Sequence, residues 1–472
     1  MAPRLFLPPP KLHLPLAPNV MITSQGTNQT IAAECTIAMS PVSNNVVCAL
    51  RQVSGPDHQL AQLNAAIFYS TDSGKTWEPS APLSLNAPNF GEPFGANANP
   101  SVAFDEDGNA YLLTLAVTSN LQHLVGIAIY KSIDGGVTWS NPHLLRQNGF
   151  DDKPSIFIDT KNGKYPGRIY GMWLSFEADA NGQNEQVVVL GRSDDAAVTW
   201  NIKTISTTAS WPTGALSPDG VFYFARSIGA QAFSVGRSDD GGETFSYFKV
   251  TGIDLLQTSG ATVMIGDVIE SADTFGNALF RANSFTSICA GSDGLLLCAW
   301  LKPTYDDQNN LVKIGIRFLR SRDGGEIWDQ PRIEKNYWEK YSLSHGNIED
   351  TCLFSPQLAV TPSGKIVCNY YSYTPSSSTA NWGWISVHAS VSSDGGESFS
   401  DSYQISDQAW ITDAGQTMMV KLGSSDYTLI GDYFGLATGP ISGSAEEGFI
   451  SAWTDGRSGA EQIVCSMVTP IP

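Results

Sequence analysis

Short apolar runs separated by turn residues dominate the 472-residue chain. Leu124 to Tyr130 and Ile314 to Leu319 are typical, because each is an apolar stretch of strand length that leads into a Gly-containing turn. No stretch keeps the spacing of a long amphipathic helix. The pattern therefore predicts an all-β protein built from many short strands.

One eight-residue pattern, Ser-x-Asp-x-Gly-x-Thr-Trp, follows six of these runs, and Ser132 to Trp139 matches it in full. Ala197 replaces the Gly in the third copy, and Ile327 replaces the Thr in the fifth. The Asp can accept hydrogen bonds from turn N–H groups, and the aromatic opens the next strand. Spacings of 45 to 83 residues indicate a repeated supersecondary unit. The central residues of the six copies are Asp72, Asp134, Asp195, Asp240, Asp323 and Asp394.

This motif resembles the Asp-box, or bacterial neuraminidase repeat, of the sialidase-like β-propellers. The resemblance implies a ring of four-stranded blades in which each box joins the third strand to the fourth. Counting the half-units at both ends gives seven blades, with six as the alternative. We expect residues 1–18 to form a Pro-rich N-terminal segment and residues 19–472 to form one propeller. A strand within residues 19–24 would complete the last blade and close the ring.

Composition narrows the classes of partner. The formal net charge is −19, which argues against nucleic acid and against an anionic membrane surface. No apolar stretch is long enough to span a bilayer.

The Pro-interrupted N-terminus is unlike a signal peptide, so we expect a secreted form whose signal has been removed, with a cytoplasmic location as the alternative. Nothing in the sequence predicts an oligomeric state.

The seven cysteines are interpreted as buried thiols rather than as a disulfide framework. Cys289 and Cys298 flank Asp293-Gly294, and a two-residue hairpin turn would place them opposite each other. No Cys–His spacing indicates zinc. We expect no cofactor, and the only metal considered is a structural calcium ion at Asp151-Asp152 or Asp306-Asp307.

The boxes occupy one end of the ring, so the loops that enter the first strand and leave the second strand of each blade converge at the other end. We expect a single site there, at the mouth of the central channel. Carboxylates and phenols would supply acid–base or nucleophilic groups, arginines would hold an anion, and tryptophans would stack on a sugar. The catalytic candidates are Asp152, Glu349, Asp432, Tyr371 and Tyr433. The substrate-binding candidates are Arg51, Arg226, Arg281, Arg457, Trp173, Trp211 and Trp300.

The resemblance to sialidases does not extend to their Arg-Ile-Pro motif, which this chain lacks. The sequence favours a carbohydrate-active enzyme, either a glycoside hydrolase or a lyase on uronate-containing glycans. Two alternatives stay open. One is a lectin-like propeller that binds glycans. The other is a secondary-metabolite enzyme of the fungal pericyclase type, which would use an aromatic cavity for an apolar small molecule.

Overall fold

The chain is described by a computed structural model, and every regular element among the residues it describes is a β-strand. The part of the chain that it describes contains no helix that could cross a membrane. The described residues are 18–23, 30–54, 63–90, 94–117, 124–147, 150–178, 182, 184–207, 212–228, 232–251, 262–264, 280–283, 286–305, 307, 311–329, 352–375, 383–400, 402–411, 419–422, 425–441 and 447–469.

The first described strand is β1 (Val20–Met21), which belongs to the last blade, and three complete antiparallel blades follow it in order. Within each blade the strands pair in chain order, from the inner strand to the outer strand. Blade 1 contains β2 (Thr30–Met39), β3 (Val46–Ser54), β4 (Leu63–Ser70) and β5 (Glu78–Pro79). Blade 2 contains β6 (Ala96–Phe104), β7 (Ala110–Val117), β8 (Leu124–Ser132) and β9 (His143–Gln147). Blade 3 contains β10 (Phe150–Ile158), β11 (Ile169–Ala178), β12 (Asn184–Ser193) and β13 (Asn201–Thr207).

Blades 4 to 6 continue the same order. Blade 4 contains β14 (Thr213–Leu216), β15 (Phe222–Ser227), β16 (Ala232–Ser238) and β17 (Ser246–Thr251). The strands β18 (Thr262–Met264) and β19 (Phe280–Asn283) then precede blade 5. The described part of blade 5 contains β20 (Ser287–Ala290), β21 (Leu296–Tyr305) and β22 (Leu311–Ser321). Blade 6 contains β23 (Cys352–Val360), β24 (Ile366–Pro375), β25 (Gly383–Ser392), β26 (Tyr403–Gln404) and β27 (Trp410–Ile411), the last pairing with β25.

The last blade joins the two ends of the chain. It contains β30 (Gly435–Pro440), β31 (Glu447–Asp455) and β32 (Gln462–Val468), and its outer position is taken by β1. Val20 pairs with Cys465 and Met21 with Val464, in antiparallel register. The predictions of seven blades and of ring closure by an N-terminal strand are therefore confirmed, and the six-bladed alternative is excluded.

A further small sheet lies outside the seven blades. It combines β18 and β19 with β28 (Met419–Leu422) and β29 (Ser425–Leu429), and β19 runs parallel to β29. These strands come from the segments that lead into the inner strands of blades 5 and 7. The sheet therefore belongs to the end of the ring opposite the boxes.

Apolar side chains from facing blades form the core, because each sheet buries both of its faces on its neighbours. Hydroxyl groups at the inner strands add bonds from blade to blade. Thr36 Oγ1 donates to the Pro100 carbonyl at 3.3 Å, and Thr438 Oγ1 donates to the Val360 carbonyl at 2.8 Å. The inner strands are thus tied to one another around the axis.

The six Asp-boxes share one hydrogen-bond network. In the second box, Ser132 Oγ lies 2.7 Å from Asp134 Oδ1, and the Gly136 N–H donates to the same Ser132 Oγ at 2.9 Å. The Thr138 N–H and hydroxyl both donate to the carboxylate, at 2.9 and 2.5 Å. In the fifth box, Ile327 keeps the backbone bond but cannot supply the hydroxyl. The carboxylates thus close the turns.

All seven cysteines are buried thiols outside any disulfide, but the expected register of one pair is wrong. Cys289 pairs with Leu297, whereas Cys298 pairs with Ile288. The turn is closed by the Gly291 N–H, which donates to the Leu295 carbonyl at 2.9 Å, so the loop is longer than two residues. This one-residue difference places the two thiols on opposite faces of the sheet.

We predict opposite effects of two box substitutions on stability. Asp134→Ala removes the acceptor for Thr138 and should lower the free energy of unfolding by about 1–2 kcal/mol, because the lost bonds are charge-assisted but exposed. Ile327→Thr supplies the missing hydroxyl to Asp323 and should raise it by about 0.5–1 kcal/mol. Urea unfolding followed by tryptophan fluorescence measures both. If Asp134→Ala were as stable as the parent protein, the box carboxylate would have no role in holding the turn.

Candidate functional site

The inner strands of four blades carry the same distortion near their starts. The register with the second strand shifts across one residue pair in blades 1, 2, 3 and 6, which marks a β-bulge in each. A residue other than Gly adopts positive φ in each bulge: Glu34 (52°), Asn99 (46°), Lys153 (52°) and Ser355 (50°).

These bulges are strained, and they direct polar side chains to the axis. A non-Gly residue in this region of φ costs about 1–3 kcal/mol, and a bulge changes the direction in which a side chain points. Asn99, Lys153 and Ser355 are each followed by Pro, which cannot donate to the ladder and so suits the second position of the bulge. Glu34 is followed by Cys35 instead.

Side chains from blades 1, 2, 3 and 7 meet at these bulges. We call them the axial cluster: Glu34, Arg51, Asn99, Asp152, Lys153, Asp432 and Tyr433. Lys153 Nζ lies 2.5 Å from Asp432 Oδ2 and 3.5 Å from Glu34 Oε1. Because blades 3 and 7 are separated by blades 1 and 2, Lys153 and Asp432 can meet only across the central channel.

Further contacts fix each member of the axial cluster. Arg51 Nη1 donates to Glu34 Oε2 at 3.0 Å, and the Asp432 N–H donates to Glu34 Oε1 at 3.2 Å. Asn99 Nδ2 donates to Asp152 Oδ1 at 2.6 Å. The Lys153 ammonium lies 5.0 Å from the centre of the Tyr433 ring, at cation–π distance.

Gly431 brings blade 7 against the bulge of blade 1. Its φ is +110°, and a Cβ atom built there would lie 2.9 Å from the Glu34 nitrogen. A side chain is therefore excluded for two reasons, the backbone conformation and the lack of space. The close approach is what allows the Asp432 N–H to reach Glu34.

The axial cluster shifts the pKa values of two of its carboxyl groups in opposite directions. Burial would raise the pKa of Glu34, but the Lys153 and Arg51 cations and the bonds from Arg51 and the Asp432 N–H lower it to about 2. Burial raises the pKa of Asp152, and the charges of Glu34 and Asp432 add to this against the opposing effect of Lys153. Glu34 is therefore an ionised carboxylate, and Asp152 holds a proton more readily than an ordinary aspartate.

The pKa values of Lys153 and Tyr433 are shifted as well. Burial opposes the charge of Lys153, but the carboxylates of Asp432, Glu34 and Asp152 raise its pKa. Burial, reinforced by the charge of Glu34, raises the pKa of Tyr433 well above its ordinary value. The cluster therefore presents two fixed cations and a neutral phenol.

Four of the residues predicted for the site lie in the axial cluster: Arg51, Asp152, Asp432 and Tyr433. Glu34 and Asn99 were missed by sequence reasoning, and Lys153 was given no role. The signal that could have found Asn99 and Lys153 is the proline that directly follows each of them near the start of its inner strand. Glu34 lacks this signal.

The structure places three predicted aromatic residues elsewhere. Trp173, Trp300 and Tyr371 are at most 2% exposed and pack between blades. Tyr371 stacks on Phe354 at 5.1 Å between ring centroids, and its hydroxyl accepts from the Thr454 N–H at 3.0 Å. They are not brought to the axial cluster, because their positions on the second strands face the neighbouring blade.

Arg457 and Arg226 also lie away from the axial cluster. Arg457 donates two hydrogen bonds to the buried Asp455, from Nε at 2.8 Å and from Nη2 at 2.7 Å. Its Nη2 also donates to Asn19 Oδ1 at 3.2 Å. It therefore fastens the segment around β1 to the last blade. Arg226 lines a cleft between the outer strands of blades 3 and 4.

The side chains of three residues predicted for the site, Glu349, Trp211 and Arg281, lie outside the described part of the chain. Glu349 and Trp211 lie outside the described residues. Arg281 lies in β19, where its backbone is paired with Leu429, three residues before Asp432, and its side chain is outside the described part.

The described ranges contain no group of three or more His, Cys, Asp or Glu side chains arranged to hold a metal ion. Asp151 and Asp152, considered above for calcium, point in different directions. Asp151 is buried near Arg146, with 3.8 Å between Oδ1 and the arginine Nε, whereas Asp152 joins the axial cluster. Of the second calcium candidate, Asp306 lies outside the described residues.

Comparison with known proteins agrees with this architecture. The family model described as "BNR/Asp-box repeat" matches residues 68–79, which include the first of the six boxes. The same network of Ser, Asp and turn N–H bonds recurs in all six boxes. The chain is an Asp-box β-propeller. Its boxes account for the turns on one end of the ring, and its axial cluster lies towards the other.

One curated protein and several solved structures are similar to this Asp-box propeller. A xyloglucanase from Paenibacillus sp. is 25% identical over 279 residues, which is 56% of this chain and 23% of that protein. The chain therefore spans about a quarter of the length of the curated relative it matches.

Among solved structures, a protein of unknown function from Dyadobacter fermentans has a TM-score of 0.47 at 14% identity, covering 96% of this chain and 98% of that one. The Penicillium chrysogenum α-L-arabinanase complexed with arabinobiose has a TM-score of 0.43 at 12% identity, with the same coverage of 96% and 98%.

We predict that Glu34→Gln destabilises the propeller in a pH-dependent way. The folded pKa of Glu34 is about 2 against an ordinary 4.5, so its stabilising charge is fully present above pH 4.5 and is lost as the pH falls towards 2. The variant should lose about 3 kcal/mol at pH 7 and less than half of that at pH 3. Denaturant unfolding of the parent protein and of the variant at pH 7 and at pH 3 measures the difference in the free energy of unfolding.

Asp107→Asn is the matched control, because it breaks an ion pair with Lys161 in which both side chains are more than 60% exposed. Exposed pairs contribute little, so this variant should unfold like the parent protein at every pH. A Glu34→Gln loss that did not change with pH would contradict the assignment of an ionised carboxylate.

Proposed function

We propose that the axial cluster is the acid–base centre of a glycoside hydrolase. The observation that carries the proposal is the meeting of Asp152, whose pKa is raised, with Asp432, which is paired to Lys153. Hydrolysis of a glycosidic bond needs one protonated carboxyl group and one ionised carboxylate. Similarity to a xyloglucanase supports a polysaccharide as the substrate class.

Asp152 is the proposed proton donor. The residue is partly exposed, its pKa is raised, and Asn99 fixes the orientation of its carboxyl group by the 2.6 Å bond to Oδ1. As the bond between the sugar C1 and the glycosidic oxygen breaks, the proton of Asp152 passes to that oxygen, which leaves as a hydroxyl group.

Asp432 is the proposed carboxylate partner. Lys153 Nζ holds one of its oxygens at 2.5 Å through a charge-assisted contact. A water molecule that attacks C1 would give its proton to this carboxylate, so that the reaction consumes one water and leaves the acid and base exchanged until protons re-equilibrate.

Glu34 and Arg51 are proposed as positioning residues. Both carboxylate oxygens of Glu34 are occupied, Oε2 by Arg51 and Oε1 by the Asp432 N–H and Lys153, so it acts on the substrate through these groups rather than by contact. The raised pKa of Tyr433 keeps its phenol protonated, and this favours a hydrogen-bond donor over the nucleophile or base expected from the sequence.

The other functions considered from the sequence have less support. A lyase would need a cation available for a uronate carboxylate, whereas Arg51 and Lys153 both contact carboxylates of the cluster. Three of the aromatic residues that favoured a cavity for an apolar ligand, Trp173, Trp300 and Tyr371, are buried between blades. A glycan-binding propeller without catalysis stays as the alternative that experiment must separate.

We predict that Asp152→Asn abolishes hydrolysis without weakening the fold. The amide oxygen can still accept from Asn99 and from the Lys153 N–H, while the transferable proton is lost. Activity should fall at least about 100-fold. Because the folded pKa of Asp152 is raised, its ionisation opposes folding above its unfolded pKa, so the neutral amide should not lower Tm at pH 7.

Release of reducing ends from xyloglucan, other β-glucans, arabinan and sialyllactose measures the activity, with Asp107→Asn as the control. Full activity in Asp152→Asn would overturn the assignment of the acid. Saturable binding of a glycan with no turnover in the parent protein would favour the lectin-like alternative. Silence on every substrate and ligand would remove support for both.

A further inference from the structure

A cleft of about 390 Å³, which we call the rim cleft, opens between blades 3 and 4 and shares no lining residue with the axial cluster. Its lining comes from the outer strand of blade 3 and from the second and outer strands of blade 4. Four of its six lining side chains carry a hydroxyl group, and a fifth carries a guanidinium. The lining residues are Thr204, Ile205, Ser206, Thr207, Arg226 and Tyr247.

A bulge in β13 shapes one wall of this rim cleft. The register with β12 shifts between Val188 and Val189, which pair with Ser206 and Thr204, so Ile205 has no partner in the ladder. The Tyr247 hydroxyl of blade 4 donates to the Ile205 carbonyl that the bulge displaces. This bond crosses the junction of the two blades and fixes the wall to the tyrosine.

Tyr247 is held rigidly while half of it remains accessible. Its ring meets Phe224 edge-to-face at 6.3 Å and lies 6.3 Å from Phe245, yet the residue is 49% exposed. A fixed, accessible aromatic face is the usual surface against which a sugar ring packs, because it costs no rotamer entropy on binding.

Arg226 adds a positive charge beside this ring. It is partly buried, burial lowers its pKa, and the nearby Tyr247 has the opposite effect. A guanidinium stays protonated at neutral pH in spite of this, and its planar donors match a carboxylate. The surrounding hydroxyl groups of Thr204 and Ser206 can bond to the hydroxyls of a sugar.

We propose that the rim cleft binds an acidic monosaccharide, such as a terminal hexuronate of a glycan chain. The sugar face packs on Tyr247, the carboxylate bonds to Arg226, and the sugar hydroxyls bond to the side chains of β13. The size of the cleft suits one such unit. This site is separate from the axial cluster and does not depend on the proposed hydrolysis.

Methyl β-D-glucuronide tests the proposal, with methyl β-D-glucoside as the neutral match and acetate as the anion without a sugar. Titrations of the full chain followed by saturation-transfer NMR should show saturable binding of the glucuronide and at least about tenfold weaker binding of the other two. Arg226→Gln should weaken binding of the glucuronide to the affinity of the glucoside. Tyr247→Ala should weaken both sugars.

Arg237→Gln is the matched control, because Arg237 lies on the third strand of the same blade and pairs with Asp239 at 2.8 Å. It should bind like the parent protein, and so should Asp152→Asn. The proposal is overturned if the glucuronide and the glucoside bind equally, if acetate binds as tightly, or if Arg237→Gln weakens binding as much as Arg226→Gln. Loss of binding in Asp152→Asn alone would place the sugar at the axis instead. Thermal unfolding verifies that each variant is folded.

Discussion

The contact of Lys153 with Glu34 and Asp432 is the interaction on which the centre of the ring depends. The carboxyl groups of Glu34, Asp152 and Asp432 repel one another when they are gathered together, and their ionised forms are costly to bury. The ammonium of Lys153, with Arg51 beside it, offsets that cost. Because these side chains come from blades 1, 3 and 7, the ion pairs also constrain how the inner strands of those blades are positioned around the axis.

The polar side chains at the two ends of the ring have different physical roles. At one end, six nearly identical carboxylates satisfy the N–H groups of tight turns, so their acidity serves folding. At the other end, bulges accept backbone strain and thereby aim polar side chains inward. Regular, repeated chemistry supports the scaffold, whereas the strained and dissimilar positions carry the groups suited to a reaction.

Repetition made the fold predictable, and the lack of repetition limited the site. Six boxes and two half-units were enough to predict seven blades and a closing strand. The location of Asp152 followed from its place at the start of an inner strand. Trp173 was misplaced because the face that a strand residue occupies depends on a register of single residues. Glu34 was missed because Cys35, unlike the prolines of the other bulges, gives no sign of a bulge.

Ring closure sets an order on assembly. Val20 is among the first described residues, yet its partner Cys465 follows it by 445 positions. During synthesis the first six blades can form in sequence, while β1 has no ladder to join until β32 has emerged. Asp432 arrives in the same final stretch and completes the axial cluster only then. A nascent chain can therefore hold most of its scaffold early and yet acquire its central chemistry as nearly its last event.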